Sequence, residues 1–232
     1  MGFILQSLVD AIGLIAHGDR ELLAAIATTL RVSISSTAIA AVLSLPLALF
    51  LALREFRGKR VLLLLLRTAL AFPTVAIGLL VYTFLTRNGP LGPLHLLFTR
   101  TAIVIGQVLL IVPLITALAH AALQHRARTV HEEATLLGAS PFAAARKALG
   151  EMRLGILTAL LTGFGRVISE VGVALILGGN IRGLTRTLTT AITLETSQGD
   201  FPRAFALAIV LLTMVLLINL VLLPEARRGQ SR

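Results

Sequence analysis

Apolar residues in this chain gather into long runs at 21–53, 61–86, 101–123, 154–177 and 204–223, separated by short polar stretches. A run of about 20 apolar residues is long enough to cross a bilayer as a helix, so the pattern predicts about five membrane spans. Pro46, Pro73 and Pro113 lie inside three of the runs, where neighbouring helices can tolerate a kink. Pro224 is expected to end the last run. The turn clusters 87–93 and 178–180 mark boundaries through Gly, Pro and Asn. Gly18 and Asp19 form a turn and cap before the first span. That span opens with Thr28, Thr29, Arg31, Ser33, Ser35, Ser36 and Thr37, too polar to face lipid all round. Their hydroxyls are expected to bond neighbouring helices or their own backbone. Residues 1–17 place Leu5, Leu8, Ile12 and Ile15 on one helical face, interrupted by Gln6, Ser7 and Asp10. This predicts an amphipathic interfacial segment over 1–20, with a short span as the alternative. The segment 181–203 reads as polar and Thr-rich, and 225–232 as a basic tail.

The longest polar interruption, 129–153, is too apolar for a free loop and too charged to span. Thr129 and Glu132 fit a capping box, in which each side chain satisfies a backbone N–H at a helix start. Gly138 suits the left-handed residue that ends a helix. Ser140 and Pro141 fit an N-cap and first helical residue. Two short helices around a glycine turn are expected, with the shape of a docking element.

Composition sharpens this picture. The 232 residues are 56% hydrophobic, with mean hydropathy +0.91, which points to an all-α integral membrane protein. The net charge of +10 would suggest nucleic acid in a soluble chain. Here the basic residues flank spans, so no nucleic-acid partner is expected and lipid is. Arg54, Arg57, Lys59 and Arg60 lie in one connection. Arg126, Arg128, Arg146, Lys147 and Arg153 lie in or beside 129–153, and Arg227, Arg228 and Arg232 in the tail. With about five spans these regions share one side, which the positive-inside rule makes cytoplasmic. The N-terminus then faces outward and the C-terminus inward. Arg87, Arg100, Arg182, Arg186 and Arg203 fall on the outer side, so the bias is not absolute. There is no Cys, which excludes thiol chemistry. His17, His95, His120, His125 and His131 are scattered without a metal-ligand spacing. No Gly-rich loop ending in Lys-Ser/Thr is present, so the chain is not expected to be an enzyme or to bind ATP. No internal repeat supports an inverted-repeat secondary transporter.

On its cytoplasmic side, Glu132-Glu133-Ala134-Thr135-Leu136-Leu137-Gly138 resembles the EAA motif of ABC importer permeases, Glu-Ala-Ala followed by Gly after three residues. Glu133 replaces the first Ala, and 148–151 depart from the Ile-x-Leu-Pro that often follows. Residues 163–166, 169–172, 178–181, 185–192 and 195–200 are similar to the oxyanion branch, which imports tungstate or molybdate, and 195–200 is nearer the tungstate type. The resemblance covers roughly 22–223. It implies a type I ABC importer permease fold over 21–224 in a bacterial inner membrane. It also implies a second copy of the chain, two cytoplasmic ATPase subunits carrying ATP and Mg, and an extracytoplasmic substrate-binding protein. Glu132, Glu133, Ala134, Gly138, Ala139, Ser140 and Pro141 would then dock the ATPase. Tungstate is favoured over molybdate. An ion-coupled secondary transporter and a non-transporting scaffold remain the alternatives of other classes.

Arg166 and Glu170 are one turn apart inside the fourth run. Intramembrane charges usually pair or line a cavity, so these two and Ser169 are candidates for the translocation path or gate, or for a structural ion pair. Asn180, Thr185 and Thr187 could offer hydrogen bonds to an oxyanion. The favoured reading is a polar cap on the outer end of the bundle that satisfies its own backbone.

Overall fold

A computed structural model describes residues 19–124 and 126–228, together with Val9, Ile12, Gly13 and Ile15; side chains are described as far as Leu220. Most of the 1–17 segment expected to be amphipathic lies outside the described residues, as do His17 and His125. The described residues contain ten α-helices and no strand. They are α1 (Arg20–Leu53), α2 (Lys59–Ala69), α3 (Thr74–Leu85), α4 (Arg100–Leu123), α5 (Ala127–Leu136), α6 (Pro141–Glu151), α7 (Arg153–Ile168), α8 (Gly172–Gly178), α9 (Leu188–Gln198) and α10 (Phe201–Arg228). A 3-10 turn, Gly92–Leu94, sits in the Pro/Gly cluster before α4.

Among the described residues, three helices are long and apolar enough to cross a membrane: α1, α4 and the Phe201–Leu220 part of α10. Two bent pairs, α2 with α3 and α7 with α8, raise the total to five if each is one broken span. The chain turns by 102° between α2 and α3. Proline explains this break. Pro73 is extended, with ψ 126, and becomes the cap of α3, and a proline ring pushes the residue before it out of helical conformation. Pro46 and Pro113 remain inside α1 and α4. Pro224 does not end the last helix, which runs on to Arg228; a proline forfeits one backbone bond without having to stop the helix.

The chain divides into two compact units. One holds residues up to Ser36, with 73–107 and 165–223. Its core has three apolar centres among the described residues, the smallest being Val32, Ile103 and Ala174. Val81, Leu85, Ala102, Val173 and Leu177 join α3, α4 and α8. Leu22, Ala25, Leu188, Ala191 and Leu207 join α1, α9 and α10. Helices approach closely through glycine: a Cβ on Gly106 would meet Leu177 and Val173 at 2.5 Å. Thr29 and Ser36 of α1 bond as expected, Ser36 donating to the Val32 carbonyl at 2.7 Å. Thr29 donates to the Ala25 carbonyl at 2.8 Å and accepts the Leu188 N–H at 2.8 Å.

The other unit includes 37–72 and 108–164. Ala48, Leu49, Ala119, Leu123, Ala127, Ala148, Ile156 and Ala159 form its core. Most are alanines, so backbones come close; a Cβ on Gly155 would sit 2.5 Å from that of Ala122.

Candidate functional site: a docking turn and a broken span

The two short helices are present, but the first starts earlier than expected. Helix α5 begins at Ala127, with Arg126 at its N-cap and no side-chain cap bond. Thr129 is therefore inside the helix, and the capping box with Glu132 does not form. Ala127 is fully buried in the core of its unit, and that burial extends the helix back past Thr129. Glu132 pairs instead with Arg128, one turn away, at 2.8 Å. The Glu132 carboxylate raises the Arg128 pKa. Lys147 and Glu151 form a similar pair on α6 at 2.8 Å, and Lys147 draws the Glu151 pKa down. All four side chains are well exposed, so these pairs contribute little to stability. Glu133 is exposed, and its carboxylate has no ion-pair partner among the described residues.

The turn itself follows the sequence closely. Gly138 has φ +87, a left-handed conformation that costs a residue with a side chain and not glycine. The Ala139 N–H bonds the Ala134 carbonyl and the Gly138 N–H the Thr135 carbonyl, both at 3.0 Å. This crossed pair is the Schellman end of a helix. Ser140 then caps α6, its hydroxyl accepting the Ala143 N–H at 3.3 Å, with Pro141 first in the helix. Ala144 and Ala148 bury one face of α6. Opposite that anchored face, the turn holds Leu136, Leu137 and Phe142 in solvent, 88%, 89% and 79% exposed. Sequence reasoning named the backbone of this turn and missed these three side chains. An apolar residue on each side of the glycine was the available signal.

The fourth apolar run breaks at 169–171, between α7 and α8, with a 56° bend. Glu170 sits in the break, 3% exposed. One carboxylate oxygen accepts the Val173 N–H at 3.2 Å, capping α8 at its positive end. The other accepts from Arg166 Nη1 at 3.0 Å. The Glu170 carbonyl accepts the Thr189 hydroxyl at 2.8 Å. The Ser169 hydroxyl donates back to the Gly165 carbonyl at 2.8 Å. Gln107 of α4 supports the same break. Its amide N–H donates to the Val167 carbonyl at 3.2 Å, and its oxygen accepts from the Ser36 hydroxyl at 2.8 Å. Gln107 is 1% exposed. It went unnoticed in the sequence, although it is the single amide in an apolar run. Gln107→Leu removes both bonds, but the Ser36 hydroxyl keeps the Val32 carbonyl and the Val167 carbonyl keeps the Glu170 N–H, so the cost should be about 0.5–1.5 kcal/mol per lost bond and no buried group is stranded. The expected result is a lower melting temperature in detergent at unchanged membrane yield; an unchanged melting temperature would show that the network carries no stability.

The candidates Asn180, Thr185 and Thr187 are largely committed to local structure. Thr185 donates to the Gly178 carbonyl at 2.6 Å and accepts the Ile181 N–H at 2.9 Å. Thr187 caps α9 in a reciprocal box with Thr190, giving 187–198 a helical form that the polar reading did not anticipate. Asn180 is left-handed, φ 51, and its amide N–H reaches the Thr190 carbonyl at 3.4 Å. Nearby, Glu21 pairs with Arg182 at 2.7 Å and with Arg186. Thus Arg166, Glu170 and Thr189 come together, while the Thr185 and Thr187 hydroxyls serve the backbone.

Among known proteins, the family model described as "Binding-protein-dependent transport system inner membrane component" matches residues 44–223. The tungstate uptake system permease protein TupB of Peptoclostridium acidaminophilum is 37% identical over 222 residues, covering 96% of this chain and 97% of that protein. TupB of Campylobacter jejuni is 36% identical, covering 95% and 92%. A probable anion ABC transporter permease protein of Haloferax volcanii is 40% identical over 83% of this chain and 85% of its own. A crystal structure of a bacterial ABC transporter involved in the import of the acidic polysaccharide alginate shares the fold, with a TM-score of 0.75 at 20% identity, covering 94% of this chain and 82% of that one. An all-helical chain of up to five spans, carrying a rigid two-helix turn and matching that model over most of its length, belongs to the family of inner-membrane components of binding-protein-dependent transport systems.

Proposed function

We propose that this chain is the membrane-spanning subunit of an ATP-driven importer of a tetrahedral oxyanion, and that the anion is tungstate. The observation that carries the substrate is the similarity to two tungstate uptake permeases over almost the whole of both chains. A molybdenum transport permease of Azotobacter vinelandii is 28% identical, and molybdate is the second reading. Two copies enclose the path, and a substrate-binding protein delivers the anion from outside. The N-terminus faces outward and the C-terminus inward. ATP and Mg sit on a partner ATPase, and this chain performs no hydrolysis itself.

The turn at Gly138 is the contact to that ATPase. Its backbone is fixed by the Schellman bonds and the Ser140 cap, and its exposed Leu136, Leu137 and Phe142 offer apolar area to a cleft. Glu132, Glu133, Ala134, Ala139 and Pro141 shape and flank the same surface. A fully buried leucine contributes about 1.5–3 kcal/mol, so Leu137→Asp should lower copurification of the ATPase at least about tenfold while the permease still inserts. Full copurification with Leu137→Asp and Phe142→Asp together would place the contact elsewhere.

Copurification with candidate ATPase subunits, followed by ATPase assay with binding protein, tests the whole proposal. Stimulation that requires tungstate-loaded binding protein is the expected result. Stimulation by the molybdate-loaded form alone would change the substrate and keep the mechanism. Absence of any ATPase partner, with uptake driven by an ion gradient, would overturn it.

A further inference from the structure

The faces of α7 differ in a way that α10 does not share. Ile156, Ala159, Val167 and Ile168 are buried, and Gly163 packs on Ile115. After Arg153 at its start, the exposed positions of α7 are Thr158, Thr162 and Arg166, with Ser169 just past its end, at spacings of four, four and three along the chain, hence on one side. From Leu212 to Leu220, helix α10 exposes mainly leucines, Leu212, Leu216, Leu217 and Leu220, with Thr213 and Asn219 beside them and no charge. A face carrying three hydroxyls and a guanidinium in mid-span does not suit lipid.

The hydrogen bonds say what that face can do. Thr158, Thr162 and Ser169 all donate inward, to the carbonyls of Leu154, Thr158 and Gly165, at 3.0, 2.8 and 2.8 Å. Outward they present oxygen lone pairs, which hold water and do not bind an anion. The donors left for an anion are those of Arg166. Its side chain is 41% exposed, whereas that of Glu170 is 2% exposed. A guanidinium carries five N–H donors, and Glu170 holds it through Nη1 at 3.0 Å. Its remaining donors make no hydrogen bond among the described residues, and Glu170 partly offsets the charge.

We propose that this face of α7 lines the aqueous path and that Arg166 is its anion contact, met by a hydrated doubly charged oxyanion in transit. Glu170 is a positioning residue, since it aims the guanidinium and weakens its hold. Both effects suit conduction, which needs binding favourable enough for entry and weak enough for exit. The inference rests on the oxyanion-import reading for its ligand, but its test does not depend on uptake.

The chain has no cysteine, so single reporters need no background removal. Thr162→Cys and Ser169→Cys would be placed in the transporter with its ATPase, nucleotide-free and trapped with ATP and vanadate. Each would be treated with a sulfonate-bearing methanethiosulfonate and with its trimethylammonium counterpart. The expected result is labelling by the anionic reagent in at least one state, about tenfold faster than by the cation, as one nearby charge dictates. Adding Arg166→Gln should abolish the preference while labelling persists. The Arg166→Gln, Glu170→Gln pair should also lack it, although that pair leaves no buried charge unmatched. No labelling by either reagent in both states would place the face against lipid or protein and overturn the proposal. So would an anionic preference that survives Arg166→Gln. If the ATPase fails to copurify, the import reading falls, but water access and the charge preference remain readable on the permease alone.

Discussion

Gly138→Val should abolish uptake and ATPase copurification while leaving the permease in the membrane in normal amount. The residue has φ +87, and a Cβ built on it meets nothing within 4 Å. The penalty is therefore conformational, without a clash. A β-branched residue held in the left-handed region costs about 1–3 kcal/mol. The two-helix element can escape that cost by rearranging its turn, because no packed neighbour holds the residue in place. Rearrangement breaks the crossed bonds of Gly138 and Ala139 to Thr135 and Ala134 and displaces Leu137 and Phe142 relative to each other. The rest of that unit keeps its buried alanine core, so insertion survives. Gly138→Asn should retain most activity, since asparagine tolerates the left-handed region. Equal uptake by the Val and wild-type forms would show that the glycine's geometry is immaterial to coupling.

Glu170→Ala should produce the largest loss of stability. The side chain makes two hydrogen bonds at the break in the fourth span, to the Val173 N–H and to Arg166. Bonds to a charged group contribute about 1.5–3 kcal/mol each, and losing both should lower the melting temperature by about 6–24 °C in a chain of this size. Val173 is fully buried, so its N–H has no water to turn to. Glu170→Gln keeps an acceptor for one of the two donors and should fall between. Pairing it with Arg166→Gln should restore part of the stability and none of the uptake, which separates folding from passage. A melting temperature for Glu170→Ala within about 1 °C of wild type would show that the break is held by other contacts.

Local chemistry made some of this legible in the sequence. Gly138, Ser140 and Pro141 each answer to their immediate backbone, and all three do what their types suggest. Five apolar runs were visible because length and hydropathy suffice to find them, and the chain offers five spans when each bent pair counts once. Tertiary packing hid the rest. Thr129 and Glu132 have capping-box spacing, but the buried Ala127 starts the helix earlier and Arg128 takes the glutamate. The bend at 169–171 contains no proline. It depends on Glu170, Gln107 and Thr189, which lie far apart in the chain and supply the bonds that a broken helix lacks. Helix α9 was readable in Thr187, Thr190 and Gly199, but its polar composition drew attention to ligand binding instead. Pro46 and Pro113 stay in helices while Pro73 breaks one, and a single proline in an apolar run does not announce which will happen.

The most direct measurement is tungstate uptake into proteoliposomes holding this permease, its ATPase and the binding protein, with ATP enclosed and no ion gradient. Accumulation that requires both ATP and binding protein, and that disappears with Gly138→Val, is the predicted result. Accumulation that proceeds without ATP, or that is unchanged by the Gly138→Val variant, would contradict an ATP-driven importer coupled through this turn.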